Sequence, residues 1–270
     1  MCIKFAKKYQ KITRLHVRMV TFIISVVHNM NGLNFLLISF SFSFSFLFLS
    51  GSVFSHDKWE EESIGAKSSE YDYLVYAVTW QPTLCILNNH IPSCINPKPI
   101  FTTHGIWPYF FSNSDFQNRH PSYCTDSIGC TSGKPCKIDS SVLSHMLNDT
   151  DFKNITTENP VPLMMHEWEK HGTCYGKGQH SYFSDFKLMR EVVTYNDLFK
   201  EYIGKSIHFN ELKSLFPKNT SFRCATKDGK QLLFEVHYLI DADGSEFHLE
   251  KNLQIGEPCK NSEVLIPSEF

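Results

Sequence analysis

Residues 73–80, YLVYAVTW, form an apolar run rich in β-branched and aromatic side chains, which predicts a strand. A loop with Pro and Cys is expected over 81–100. FTTHGIW, 101–107, then predicts a short strand closed by Pro108, and Gly, Pro, Ser and three Cys predict loop over 111–137. SSVLSHMLND, 140–149, has a helical pattern. Pro160 and Pro162 precede LMMHEWEKHGTCYG, in which residues 163–171 carry no Gly or Pro and end at the helix-stopping Gly172. One or two helices are expected over 182–203, and a short amphipathic one over FNELKSLF, 209–216. Strand patterns return in SFRCAT, QLLFEVHYLI and EFHLE, with the turn pairs Asp228-Gly229 and Asp243-Gly244 beside them. Strands at both ends with helices between them predict an α+β fold.

The first 55 residues break this pattern. Six basic and no acidic side chains precede Met19, and no charged side chain occurs from Met19 through His56. That stretch contains NFLLISFSFSFSFLFLS, 34–50, followed by Gly51, Ser52 and Ser55. A basic start, an apolar core and a small-residue exit predict a secretory signal over 1–55, removed on secretion. The apolar core is shorter than the ~20 residues of a spanning helix. An uncleaved anchor and a strand over the Ser/Phe alternation at 41–46 are the rival readings. Met19 or Met30 would also serve as a start. A polar lead-in, 56–72, and one domain, 73–270, would remain.

Without residues 1–55 the formal charge moves from −2 to −8, with 20 basic against 28 acidic side chains. The chain then lacks the basic footprint of a tight nucleic-acid binder. It keeps 11 of its 13 His, enough to take the charge up to +3 when all are protonated. Cys2 would leave with the signal, and Cys85, Cys94, Cys124, Cys130, Cys136, Cys174, Cys224 and Cys259 stay. An even set in a secreted chain reads as disulfides. No CxxC pair supports zinc. Cys85 and Cys94, and Cys130 and Cys136, are near enough to close locally, but spacing alone leaves the connectivity open. Asn148, Asn154 and Asn219 begin glycosylation triplets, which suits a secreted surface.

HEWEKH, 166–171, carries the strongest chemistry. Residues four apart share a helix face, which pairs Glu167 with His171 and His166 with Lys170. A zinc-protease helix needs its two His four apart. Here they are five apart, about 140° around the helix, so that reading fails. The bland alternative is a solvated charged face. HGIWP, 104–108, adds an imidazole beside an indole, a second acid or base with a surface for a nucleobase.

FTTHGIWP and LMMHEWEKHGTC together resemble the two active-site signatures of the ribonuclease T2 family. The resemblance extends over 73–270 and implies that family's α+β fold, an antiparallel sheet with packed helices stabilised by disulfides. It implies a secreted or lysosomal/vacuolar endoribonuclease acting on single-stranded RNA, not DNA, as a monomer with no metal, no cofactor and no stable membrane association. The implied route is 2′-OH transesterification through a 2′,3′-cyclic phosphate. His171 would be the base, His104 the acid and Glu167 their catalytic companion. His166 and Lys170 would hold the phosphate and its transition state, and Trp107 would stack on a base. The pairing Cys85–Cys94, Cys124–Cys174, Cys130–Cys136 and Cys224–Cys259 is likewise implied by the resemblance. An acidic optimum is expected from the histidine content. Thr103, Ile106 and Leu163 depart from the usual signatures, as does the lack of a Cys pair near Tyr238 and His248, which leaves base preference open. The alternative is a secreted recognition or toxin-like factor on the same fold, in which RNA cleavage serves signalling or is lost.

Overall fold

In a computed structural model, residues 60–91, 94–95, 97–130, 136–247 and 253–269 are described. The expected targeting segment, 1–55, lies outside them. The chain divides into Met1–Val53 and Phe54–Phe270, and all that follows concerns the second unit. It is mixed helix and sheet.

The polar lead-in contains a strand, β1, Glu60–Ile64. β2 spans Tyr73–Trp80 and is buried along its whole length. Its odd residues Tyr73, Val75 and Ala77 face one apolar cluster, while Leu74, Tyr76, Val78 and Trp80 face a larger one. Burial on both faces explains why β2 is an unbroken apolar run rather than an alternating one. The expected loop after it begins with helix α1, Gln81–Leu87, started by Pro82 in its first turn.

β3 spans Phe101–Tyr109 and does not stop at Pro108. It is the outer strand of the main sheet, where a missing N–H removes no needed ladder bond. β4, Asn118–Ser122, lies inside the expected loop and pairs in parallel with β1. Helices α2, Ser140–Asn148, α3, Thr150–Ile155, α4, Val161–Lys170, and α5, Gln179–Leu188, follow. The helical pattern expected to 203 gives way after α5 to 3-10 turns at Met189–Val192 and Asp197–Tyr202, around the β-branched Val192, Val193 and Thr194. β5 is Ser206–His208 and α6 is Phe209–Ser214. β6, Thr220–Lys227, and β7, Lys230–Ile240, form a hairpin closed by Asp228 and Gly229, both at positive φ. EFHLE forms no strand among its described residues, and β8, Glu263–Leu265, follows.

The main sheet runs β3-β2-β7-β8-β5, with β6 on the other side of β7. The larger cluster packs it against the helices and includes Met146, Phe152, Met164, Trp168, Tyr182, Phe183 and Phe186. Four disulfides join Cys85 to Cys94, Cys124 to Cys174, Cys130 to Cys136 and Cys224 to Cys259. Among the described residues no helix is long and apolar enough to cross a membrane, and no cluster of His, Cys, Asp and Glu would hold a metal ion. Asn148 and Asn154 are exposed at the end of α2 and in α3. Asn219 is half-buried, and its Nδ2 donates to the Leu239 carbonyl at 2.7 Å.

Candidate active site

The site forms where the end of α4 meets β3. Met164, Glu167 and Trp168 are the buried residues of α4, and His171 caps its C-terminus with 6% exposure. This i, i+3, i+4, i+7 stripe is the inner face of an amphipathic helix. It carries Glu167 and His171 inward, while His166 is exposed and Lys170 partly so.

β3 presents His104 by breaking its own alternation. Ala77 of β2 pairs with Gly105 but Val78 pairs with Thr103, which leaves His104 as the extra residue of a bulge. Before the bulge, Phe101 packs in the larger cluster and the Thr103 hydroxyl meets Tyr76. After it, Trp107 and Tyr109 pack in the smaller one. Strict alternation would send His104 and Trp107 to opposite faces; the bulge lets them share one. Their rings meet edge to face, with centroids 5.2 Å apart.

Trp107 is 7% exposed. Its indole N–H donates to Glu167 Oε2 at 2.7 Å, and its ring stacks on His171 at 5.3 Å. It therefore walls the two histidines and steadies the carboxylate, and leaves little open ring for a nucleobase. Gly105 is explained by the same packing. A Cβ there would lie 1.9 Å from Glu167 Oε2 and 2.7 Å from the indole nitrogen. Gly105→Ala is expected to dislodge Glu167 and to lower kcat on the order of 10- to 100-fold, the scale of a roughly 1 Å misplacement. Near-normal kcat in a folded Gly105→Ala protein, checked by circular dichroism, would refute this packing argument.

The two histidines sit in opposite electrostatic settings. His104 Nδ1 lies 2.7 Å from Glu235 Oε1, and its Nε2 lies 3.4 Å from Glu167 Oε1. Burial works against its charge, but the Glu235 and Glu167 carboxylates outweigh burial and raise it to about 9. His171 is lowered well below its ordinary value, first by burial and then by the nearby His120, Lys170, His166 and His104 charges. Glu167, fully buried, is raised to about 7 by its desolvation, against the pull of His104 and the Trp107 hydrogen bond. Although exposed at the surface, His166 is lowered by partial desolvation and by the His104 and Lys170 charges, and its ring lies 6.4 Å from that of His171.

Two groups near the site were not legible as chemistry. Glu235 and His237 read only as part of a strand, yet both are fully buried beside His104 and Trp107. Their one signal was a carboxylate and an imidazole inside an apolar run. The second group comes from β1. Glu60 lies 3.1 Å and Glu62 3.7 Å from the two ring nitrogens of buried His120 on β4. Glu62 also lies 3.4 Å from Lys170 Nζ, and the Tyr109 hydroxyl donates to Glu60 at 3.0 Å. The carboxylates hold the His120 imidazolium above its ordinary range although burial opposes it. His120 and Lys170 in turn hold Glu62 down at about 2. The loose segment expected before residue 73 is thus tied to Lys170.

The family model of the ribonuclease T2 family matches residues 71–255, which leaves β1 outside the match. A ribonuclease of Aeromonas hydrophila is 28% identical over 138 residues, covering 49% of this chain and 54% of that protein. The chain thus matches about half the length of that relative. Ribonuclease 1 of Arabidopsis thaliana is 26% identical over 200 residues, covering 68% of this chain and 81% of its own. The crystal structure of the self-incompatibility-associated SF11-RNase of Nicotiana alata superposes with a TM-score of 0.53 at 20% identity, over 73% of this chain and all of the other. With a family match across most of its folded part, related ribonucleases along the same stretch and a shared fold, the chain belongs to the ribonuclease T2 family of RNA endonucleases.

Proposed function

We propose that this protein cleaves single-stranded RNA by attack of a ribose 2′-OH on the adjacent phosphorus, without a metal ion. The observation that carries this reading is a pair of histidines against one indole, one beside carboxylates and the other among cations. The first favours a protonated ring and the second a neutral ring, so the pair is ready as acid and base.

Neutral His171 takes the 2′-OH proton as the 2′-oxygen bonds to phosphorus. The P–O5′ bond breaks, and His104 gives its Nε2 proton to the departing 5′-oxygen. The products are a 2′,3′-cyclic phosphate and a 5′-hydroxyl end. Lys170 and His166 on the outer side of α4 would face the phosphate, and the Lys170 ammonium would offset charge gathering on its oxygens. Glu167 holds a position between His104 and Trp107 from which it steadies both. DNA lacks the 2′-hydroxyl nucleophile and would not react. The signal-like pattern of residues 1–55 and the disulfides support a reading of release through the secretory pathway, to the outside or to an acidic compartment. Exposed Asn148 and Asn154 suit glycan attachment there better than Asn219, whose amide nitrogen is already engaged.

The test is purified protein with single-stranded RNA in excess EDTA, with products read for a cyclic phosphate end. Full activity under chelation is expected. Loss of activity that a divalent ion restores would overturn the mechanism.

A further inference from the structure

Glu235 lies at a second break in strand alternation. Arg223 of β6 pairs with Glu235, but Cys224 pairs with Leu233, which leaves Phe234 as the extra residue. Leu233 and Val236 consequently both face the larger cluster, although they are three apart. The same shift turns Glu235 and His237 toward the smaller cluster and the bulge of β3. Two bulges on separate strands thus aim Glu235 and His104 at each other.

A carboxylate with no exposure is costly unless its lone pairs are filled. Four donors surround this one. His104 Nδ1 lies 2.7 Å and the Thr79 hydroxyl 3.4 Å from Oε1. Arg223 Nη1 lies 2.9 Å and His237 Nε2 3.2 Å from Oε2. β2, β3, β6 and β7 each contribute one. Packing alone would favour an apolar side chain at this fully buried position.

We propose that Glu235 is a positioning residue for His104, fixing Nδ1 as a permanent donor so that Nε2 is the atom that carries the transferable proton. Arg223, His237 and Thr79 hold the carboxylate still. Because Nδ1–H stays bound to Glu235 before and after transfer, the ring gives and regains its Nε2 proton without a change of tautomer. The carboxylate also supports the imidazolium between turnovers. Burial alone would raise the Glu235 carboxyl, but the His104 charge and the hydrogen bonds from His104 and His237 hold it well below the ordinary range. This inference rests on the reading of His104 as the acid, and its test separates the two.

The experiment is an NMR titration of the His104 ring in the wild-type protein and in Glu235→Gln, alongside kcat/KM against pH. In the wild type the midpoint is expected at about 9. In Glu235→Gln, which keeps the shape and removes the charge, it is expected to fall toward 6.5, the ordinary value. The alkaline limb of kcat/KM should follow, with kcat lowered and KM nearly unchanged, and Glu235→Asp should restore part of the shift. A wild-type His104 that titrates near 6.5 would overturn the proposal, and that measurement needs no variant. So would an unmoved midpoint in folded Glu235→Gln. A midpoint that moves while the alkaline limb stays supports the positioning contact and overturns the assignment of His104 as the acid.

Discussion

His104→Ala and His171→Ala proteins are each expected to cleave RNA at least about 100-fold more slowly than the wild type, the usual size of a general acid–base contribution. The double variant should lose little more than either single one, since an acid and a base that act in one step fail together. The pH profile follows from their settings. The base must be neutral, so activity is absent below the pKa of His171 and rises as pH passes it. That pKa lies well below 6.5, which puts the rise on the acid side. The acid must be protonated, so activity is lost as pH climbs through about 9. The two settings define a plateau that includes mildly acidic pH. Within it, protonation of other histidines should lower KM for a polyanion toward the acid side, which is where the acidic optimum expected from composition would arise. Steady-state kinetics on a dinucleotide and on RNA would check both claims. A His171→Ala rate within a few-fold of wild type would show that the base has been misplaced, and a maximum above the His104 value would do the same for the acid.

Replacing Cys124 and Cys174 together by Ala is expected to destabilise the protein by ~2–5 kcal/mol, as loss of a native disulfide commonly does. The bond closes a separation of 50 residues, against 6 for Cys130–Cys136. A longer closed loop removes more freedom from the unfolded chain. Both of its sulfur-bearing residues are buried, and the surroundings are tied to the site. The Tyr123 N–H donates to the Lys170 carbonyl at 2.9 Å, and the Cys124 N–H to the Thr173 hydroxyl at 3.0 Å. The bond thus holds the end of α4, with Lys170 and His171, to the segment after β4. Urea unfolding should show a lower midpoint, and kcat should fall at temperatures where the variant is still folded. Removal of Cys130 and Cys136 should leave kcat nearly unchanged. Equal effects from the two pairs would mean that the first bond does not position the helix.

The chemistry of α4 was legible in the sequence because it is local. Helical geometry alone sets Glu167 and His171 on one face, and the α-helix ends at Lys170, just before the expected stop at Gly172, which opens a 3-10 turn. The β6–β7 turn was legible for the same reason, since Asp228-Gly229 favours a positive-φ pair whatever surrounds it. The run of β2 predicted a strand but not its two buried faces. Other features depended on partners distant in the chain. β1 is a strand because β4, some 58 residues on, offers it a parallel edge and a buried imidazole for its carboxylates. β3 continues through Pro108 because it lies at the edge of the sheet. Glu235 could not be picked out from QLLFEVHYLI, because strict alternation puts it on the same face as Leu233, in the larger core. One inserted residue in each of two strands reverses that phase, and no periodicity in either strand announces it. The sequence by itself thus determined the helix that sets Glu167 and His171 on one face, and it singled out His104. Only the tertiary structure decided what surrounds each histidine, because burial and neighbouring charge come from strand register and packing between segments far apart in the chain.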